Sequence, residues 1–216
     1  MNLSLWGIFV TVAIAHFLAL LSPGPDFVLI VKSAIRNGNK KSIGIAVGIS
    51  VANALYISLC LIGVGSILAK SATVLVTLKV MGGLFLIYLG IQALRAKKDS
   101  YKKIALAETN NRQLETTWIS EFITGFMSGL LNPKNLLFYL SLFTVVLTKE
   151  VSLSFKITLG IWMTTVVLFW DIAIIYLLST SRVQRKFSKI AYYLDKLTGA
   201  ILGMIGFTIV KSAISK

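Results

Sequence analysis

Two short polar motifs interrupt long apolar stretches of the sequence, and each contains proline. Their residues are Pro23, Gly24, Pro25 and Asp26 in the first half of the chain, and Asn132, Pro133 and Lys134 in the second. Proline removes a backbone donor, and an unsatisfied carbonyl is costly in lipid. Such a break is therefore tolerated where protein or a water-filled cavity restores the hydrogen bonds. An ionisable side chain at that depth is a candidate for function.

Opposite charges at the two breaks predict a site for a zwitterionic amino acid. Proline suits the first turn of a helix, so we expect half-helices to begin at both motifs, with Asp26 and Lys134 in equivalent positions. The free amides of a helix start favour an anion, which suits Asp26 but leaves Lys134 in need of a negative partner. We expect the substrate's ammonium at Asp26 and its carboxylate at Lys134, with Asn132 in the same site. Without substrate, the two charges could pair directly. The alternatives are that Asp26 only starts its helix and that Lys134 only reaches a lipid headgroup.

Four further polar residues within the apolar stretches are assigned to the cavity or to proton coupling. Asn53 and Tyr56 are three residues apart, so a helix places them on one side, where we expect them to line the substrate cavity. Asp171 lies in the apolar sequence FWDIAIIY, and a desolvated carboxyl group there suits the uptake and release of a proton. His16 could relay protons near neutral pH. The alternative for His16 is a single hydrogen bond to a neighbouring helix.

Composition indicates that membrane-spanning helices position these residues. The chain of 216 residues is 56% hydrophobic, only 14% charged, and has a mean hydropathy of +0.82, whereas a soluble domain carries roughly a quarter charged residues. Six apolar runs are long enough to cross a hydrocarbon core of about 30 Å: 3–31, 43–68, 77–94, 119–147, 157–178 and 197–214. The sequence therefore predicts an all-α membrane protein with six transmembrane helices, of which the first and fourth are broken at the proline motifs.

The net charge of +14 is interpreted as a signal of topology. In a soluble protein such a charge would suggest binding to nucleic acid. Here most basic residues lie between runs one and two, three and four, and five and six. Short loops rich in Lys and Arg stay in the cytoplasm, which predicts both termini outside and no nucleic-acid partner. We expect the first run to be retained, because no Lys or Arg precedes it and no small-residue cleavage site follows it.

Glycines, tryptophans and prolines recur at similar spacing in the two halves of the chain. The stretches GGLFLIYLGIQALR (82–95) and TGAILGMIGFTIVK (198–211) each contain two glycines seven residues apart. Tryptophans and proline breaks recur between the halves at a similar offset. We interpret the chain as a single transmembrane domain, 1–216, made of a three-helix repeat at 1–94, a cytoplasmic linker at 95–117 and a second repeat at 118–216. An odd number of spans per repeat inverts the second copy, an architecture typical of transporters. The alternative is that the glycines only allow close helix packing.

Several motifs together resemble one family. SPGPDF around residue 25, GIAVGISVANALY, GGLFLIYLGIQALR and LNPKN are similar to sequences of the LysE/RhtB family of bacterial amino-acid exporters, and the resemblance extends over essentially the whole chain. It implies a multi-pass protein of the bacterial inner (plasma) membrane that exports amino acids or close derivatives, with proton exchange as the driving force. The expected partners are an amino-acid substrate, protons and the lipid bilayer, without a cofactor.

Other classes of function are less consistent with the sequence. Export of a metal cation, the main alternative, needs clustered carboxylate, His or Cys ligands, whereas the few such residues within the apolar runs are far apart in sequence. The single cysteine, Cys60, does not favour a redox enzyme, and no phosphate-binding loop for ATP hydrolysis is present. We therefore expect a transporter and not an enzyme. The sequence leaves the substrate open, and it leaves the oligomeric state, including a homo-oligomer, open as well.

Overall fold

A computed structural model describes residues 4–68, 72–97, 116–146, 151–177 and 181–214. These residues form eight α-helices and no strand, which confirms the all-α prediction for this part of the chain. The helices are α1 (Leu5–Leu21), α2 (Pro25–Asn37), α3 (Asn39–Leu68), α4 (Ala72–Arg95), α5 (Trp118–Leu131), α6 (Pro133–Val146), α7 (Leu153–Leu177) and α8 (Ser181–Ile214). Most of the predicted linker 95–117 lies outside the described residues.

Both proline motifs interrupt helices, as predicted. The axes of α1 and α2 are bent by 53°, and Pro25 occupies the first turn of α2 behind an extended Gly24. In the second half, Asn132 separates α5 from α6 in an extended conformation, and its backbone N–H donates to the Gly129 carbonyl. The Asn132 side-chain oxygen also accepts from the Lys134 backbone N–H at 3.0 Å. Each break is thus a short extended segment followed by a new helix that starts with proline.

Several helices are suited to a bilayer. Among the described residues, the segments long and apolar enough to cross it are Asn39–Ile62, Leu153–Leu177 and Tyr192–Ile214, and the bent pair of α1 and α2 passes the same test together. The chain is therefore a membrane protein with three or four spans recognisable by length and composition. The arrangement of six spans stays a prediction.

Glycines allow two helix pairs to approach closely. Between α4 and α8, a Cβ added at Gly90 would lie 2.6 Å from the Gly199 carbonyl oxygen, and one at Gly206 would lie 2.5 Å from the Gly83 carbonyl oxygen. These two contacts place α4 and α8 antiparallel. Between α3 and α5, an added Cβ at Gly44 would meet the Trp118 carbonyl oxygen at 2.5 Å. Small residues are favoured at such crossings because they let backbones touch.

The core fixes the helices around the two breaks. One buried cluster includes Val12 of α1, Leu142 and Phe143 of α6, and Met163 of α7. A second joins Ile30 of α2 to residues of α3 and α7. Because α3 packs against α5 and α7 while α2 lies on α3 and α7, the two proline breaks are held at a common place inside the bundle.

Candidate functional site

A cavity lies where the two breaks meet. The centres of water molecules can occupy about 70 Å³ of it. Its walls come from α1, α2, α3, α6 and α7 together with the break segments. Most of the side chains assigned from the sequence to substrate or protons line it: His16, Asp26, Asn53, Asn132, Lys134 and Asp171. The structure therefore brings together polar groups that are as far apart as residues 16 and 171 in the chain.

The Asp26 carboxylate is held by neutral donors from the second break. Its Oδ1 accepts from the Ser128 hydroxyl at 2.6 Å. Its Oδ2 accepts from the side-chain amides of Asn132 at 2.9 Å and Asn135 at 2.7 Å. Hydrogen bonds to an ionised acceptor are strong, so Asp26 ties the start of α2 to both sides of the break between α5 and α6.

The Lys134 ammonium is held by carbonyls of the first break. Its Nζ donates to the Ser22 carbonyl at 2.9 Å and to the Ala19 carbonyl at 3.4 Å. These carbonyls lie at the end of α1, where the helix dipole favours a positive charge. The end of α1 thus supplies negative partial charge to Lys134, and the carboxylates of Asp195 and Asp26 also attract its ammonium. In this conformation the described contacts of Asp26 and Lys134 are with these groups and not with each other.

Asp171 and Asn53 are buried with acceptor atoms that lack donors. Asp171 is 7% exposed and Asn53 4%. Among the described residues, Asp171 Oδ2 and Asn53 Oδ1 have no hydrogen-bond partner, although most buried polar atoms in native proteins do have one. Both residues line the cavity, so these unpaired acceptors belong to side chains of its wall.

His16 makes the hydrogen bond to a neighbouring helix that the sequence offered as the alternative to a proton relay. The ring is buried, and its Nε2 lies 3.2 Å from the Met163 carbonyl, which can only accept, so Nε2 carries the proton. The structural hydrogen bond to a neighbouring helix is therefore present. The other nitrogen, Nδ1, has no hydrogen-bond partner in the part of the chain that the structure describes, and it belongs to a residue of the cavity wall.

Tyr56 is not among the residues that line the cavity, in contrast to the expectation from its spacing with Asn53. Its hydroxyl donates to the Leu130 carbonyl in the last turn of α5. Carbonyls in a last turn have no partner within their own helix, and the break at Asn132 leaves Leu130 in that position. The helix spacing placed the two side chains on one side of α3, but the longer tyrosine reaches past the cavity to α5.

Two contacts of Asp26 were missed from the sequence, those with Ser128 and Asn135. Together with Asn132 they are spaced by four and three residues, which would place them on one face of an uninterrupted helix. This spacing was the available signal. The break obscured it, because helical periodicity does not predict which side chains face each other across an extended residue.

A second buried polar cluster surrounds Glu121 in the first turn of α5. Glu121 is 7% exposed. It accepts from the Ser33 hydroxyl, from the Asn37 amide at 2.9 Å and from the Thr116 hydroxyl at 3.0 Å, while Ser33 also bonds Ser42 at 2.7 Å. The cluster joins the last two turns of α2 to the first turns of α3 and α5.

The chain is similar to known membrane proteins over most of its length. Residues 17–213 match the family model of the LysE type translocator. Similar proteins include the threonine efflux proteins of Salmonella typhi (27% identical over 205 residues) and Escherichia coli strain K12 (26% over 211 residues). Each alignment covers 95% of this chain and 98% of the relative. The uncharacterized membrane protein YrhP of Bacillus subtilis is 28% identical over 201 residues, which cover 88% of this chain and 91% of the relative. No solved structure matches the chain.

The family match includes both proline breaks and every assigned residue of the cavity wall except His16, which lies just before it. Proteins of this kind move solutes and do not transform them, so the chain is a transporter and not an enzyme. The chain belongs to the LysE type translocator family.

Proposed function

We propose that this protein is a secondary transporter that exports a small neutral amino acid from the cytoplasm, with threonine as the first candidate. The single observation that carries the proposal is the cavity between the breaks, whose wall contains a lysine, two aspartates and side chains with buried acceptors that lack a donor among the described residues. A zwitterion needs both signs of charge within a few ångströms. Two relatives are named threonine efflux proteins, and threonine is therefore the first substrate to test.

The volume of the cavity favours a compact substrate. A water molecule needs roughly 10–15 Å³ when volume is measured in this way, so 70 Å³ corresponds to on the order of five waters. A small amino acid matches this space better than an aromatic or long basic one does. The aromatic rings of Phe138, Tyr139 and Trp170 in the wall supply rigid apolar surface around the polar groups.

The proposed driving force is exchange for protons. Each net charge moved across the membrane is worth about 2.3 kcal/mol per 100 mV. Exchange of a neutral zwitterion for one inward proton moves one positive charge toward the negative interior, so both the membrane potential and the pH gradient drive export. Asp171 and His16 are the groups proposed to take part, because both are titratable residues buried in the cavity wall.

The proposed architecture is a pair of inverted repeats in the bacterial inner membrane, with both termini outside. The repeats 1–94 and 118–216 make Gly83 equivalent to Gly199 and Gly90 equivalent to Gly206. If a twofold axis exchanges the repeats, Gly83 takes the place of Gly199 and Gly206 takes the place of Gly90. The contact between Gly83 and Gly206 then becomes the contact between Gly199 and Gly90, and both contacts are close in the structure. Such reciprocal pairs are the property expected of a twofold interface, which supports the repeat proposal.

Flux in everted membrane vesicles tests the function. Vesicles from cells that express the protein, energised to make the interior acidic, should accumulate labelled threonine, and accumulation should stop when the pH gradient is collapsed. Lys134→Met should lower the rate roughly tenfold or more, because it removes the cation of the site, and Asp26→Asn should lower it as strongly, because it weakens the hydrogen bonds that join the two breaks. Lys41→Met, which removes an exposed lysine outside the cavity, is the matched control for the loss of a positive charge.

Two results would count against the proposal in different ways. If the vesicles accumulated no amino acid in a gradient-dependent manner, the export function itself would be wrong. If both variants, present at parental levels, accumulated threonine at the parental rate, the function would stand but the site would not. Among the described residues no group of three or more His, Cys, Asp and Glu side chains could hold a metal ion, so no observation favours a second candidate function.

A further inference from the structure

Three buried acceptor atoms that lack a donor among the described residues belong to side chains that line the same cavity. They are Nδ1 of His16 on α1, Oδ1 of Asn53 on α3 and Oδ2 of Asp171 on α7. The His16 nitrogen is an acceptor because Nε2 uses the ring proton for the Met163 carbonyl, which leaves a lone pair on Nδ1 in the neutral ring. The three atoms come from three different helices, so local chain geometry does not explain their shared position.

These three acceptors match a ligand that carries several hydrogen-bond donors and a positive charge. A buried acceptor left without a donor destabilises the fold by the cost of its desolvation, and three of them around one small cavity indicate a ligand that brings donors. A primary ammonium offers three N–H donors and no acceptor. It also carries the positive charge that a buried carboxylate requires.

Asp26 has fewer free lone pairs than Asp171 to accept hydrogen bonds from an ammonium group. A carboxylate has about four lone-pair sites, and three protein donors already occupy those of Asp26, two of them on Oδ2. To bind the substrate's ammonium, Asp26 would have to release donors that connect the two breaks. Asp171 Oδ2 has no such bond to release.

We propose that His16 Nδ1, Asn53 Oδ1 and Asp171 Oδ2 form the subsite for the substrate's ammonium group, whereas Asp26 holds the two breaks together. The assignment rests on the proposed export of amino acids. It changes the carboxylate that binds the substrate's ammonium from Asp26 to Asp171. The substrate carboxylate then lies toward Lys134, whose Nζ uses two carbonyls and has a third N–H donor left.

The subsite also explains how exchange is coupled. Asp171 binds either the ammonium of a substrate or a proton, and each excludes the other from the same oxygen. Outward movement with the amine bound and return with the carboxyl protonated exchange one substrate for one proton. The other titratable groups that border the cavity are His16 on α1, Asp26 on α2, and Lys134 and Tyr139 on α6.

Binding of matched ligands to the purified protein in detergent tests the subsite. The probes are L-threonine, 1-amino-2-propanol, which lacks the carboxylate, and 3-hydroxybutyrate, which lacks the ammonium. The parent should bind threonine roughly 10- to 100-fold more tightly than 3-hydroxybutyrate, as expected for charge-assisted hydrogen bonds. Asp171→Asn should reduce this preference to within about threefold. Asn53→Leu should reduce it partly, and Asp26→Asn should preserve it while lowering the unfolding temperature.

Each outcome is decisive for the subsite. The inference is overturned if Asp171→Asn, with a parental unfolding temperature, keeps the full preference, if Asp26→Asn alone abolishes it, or if the parent binds neither amine. Asp171→Glu serves as a check on folding, because it keeps the carboxylate and should retain part of the preference that Asp171→Asn loses. If 1-amino-2-propanol binds in an Asp171-dependent way but the vesicles export no amino acid, the subsite stands and the proposed function fails.

Discussion

The close contact between α4 and α8 makes the substitution Gly206→Ala a sensitive test of the fold. The added methyl group would lie 2.5 Å from the Gly83 carbonyl oxygen and 2.9 Å from the Ile87 backbone nitrogen. Ordinary carbon–oxygen contact begins at about 3.4 Å, so the two helices must separate by close to 1 Å at this point. Both neighbours are backbone atoms, and rotation of a side chain cannot relieve the overlap.

Two opposing effects determine how much Gly206→Ala changes the free energy of unfolding. Overpacking in a tight interior typically destabilises by about 1–3 kcal/mol, whereas Gly→Ala within a helix stabilises by about 0.5–1 kcal/mol. We therefore expect Gly206→Ala to lower the free energy of unfolding by about 0.5–2 kcal/mol. For a chain of this size that corresponds to a fall of about 1–8 °C in Tm. The reciprocal change Gly90→Ala should act in the same direction, because its methyl group would meet the Gly199 carbonyl oxygen at 2.6 Å.

Gly203 provides the matched control on the same helix. A Cβ at Gly203 would have no atom within 4 Å outside its own helix, so Gly203→Ala changes the same residue type without an overlap. We expect its Tm to equal or slightly exceed that of the parent. The measurement is thermal unfolding of each purified variant in one detergent, followed by circular dichroism at 222 nm. Equal Tm values for Gly206→Ala and Gly203→Ala would refute the proposed contact between α4 and α8.

Three further predictions concern buried polar contacts, each measured by the same unfolding assay. Asp26→Ala should destabilise by at least about 2 kcal/mol, because three donors lose their acceptor, and Ser128→Ala, which removes one of them, should cost less; equal losses would contradict the bridging role. Glu121→Ala should cost about 2–4 kcal/mol, since the hydroxyl of Ser33 and its neighbours lose a charged acceptor; a neutral result would mean that water replaces the carboxylate. Tyr56→Phe should cost about 1 kcal/mol through the lost bond to the carbonyl of α5, and no change would show that this bond contributes nothing net.

The sequence by itself determined where the helices break and what kind of molecule this is. Proline blocks a helix through its own ring and its missing N–H, so the interruptions at Pro25 and Pro133 follow from local chemistry. Apolar runs of sufficient length likewise indicate a membrane protein without knowledge of how the helices pack. The family resemblance rested on the same local motifs, and the match over residues 17–213 confirms it.

The partners of each charge were decided only by the tertiary structure. Helical spacing suggested that Asn53 and Tyr56 share a site, and the fold separated them because one side chain is long enough to reach a carbonyl freed in α5. Equivalent positions suggested that Asp26 faces Lys134, whereas each is held by groups of the opposite break. Which donors reach a buried atom depends on distances between segments over a hundred residues apart, and periodicity along one helix contains no information about those distances.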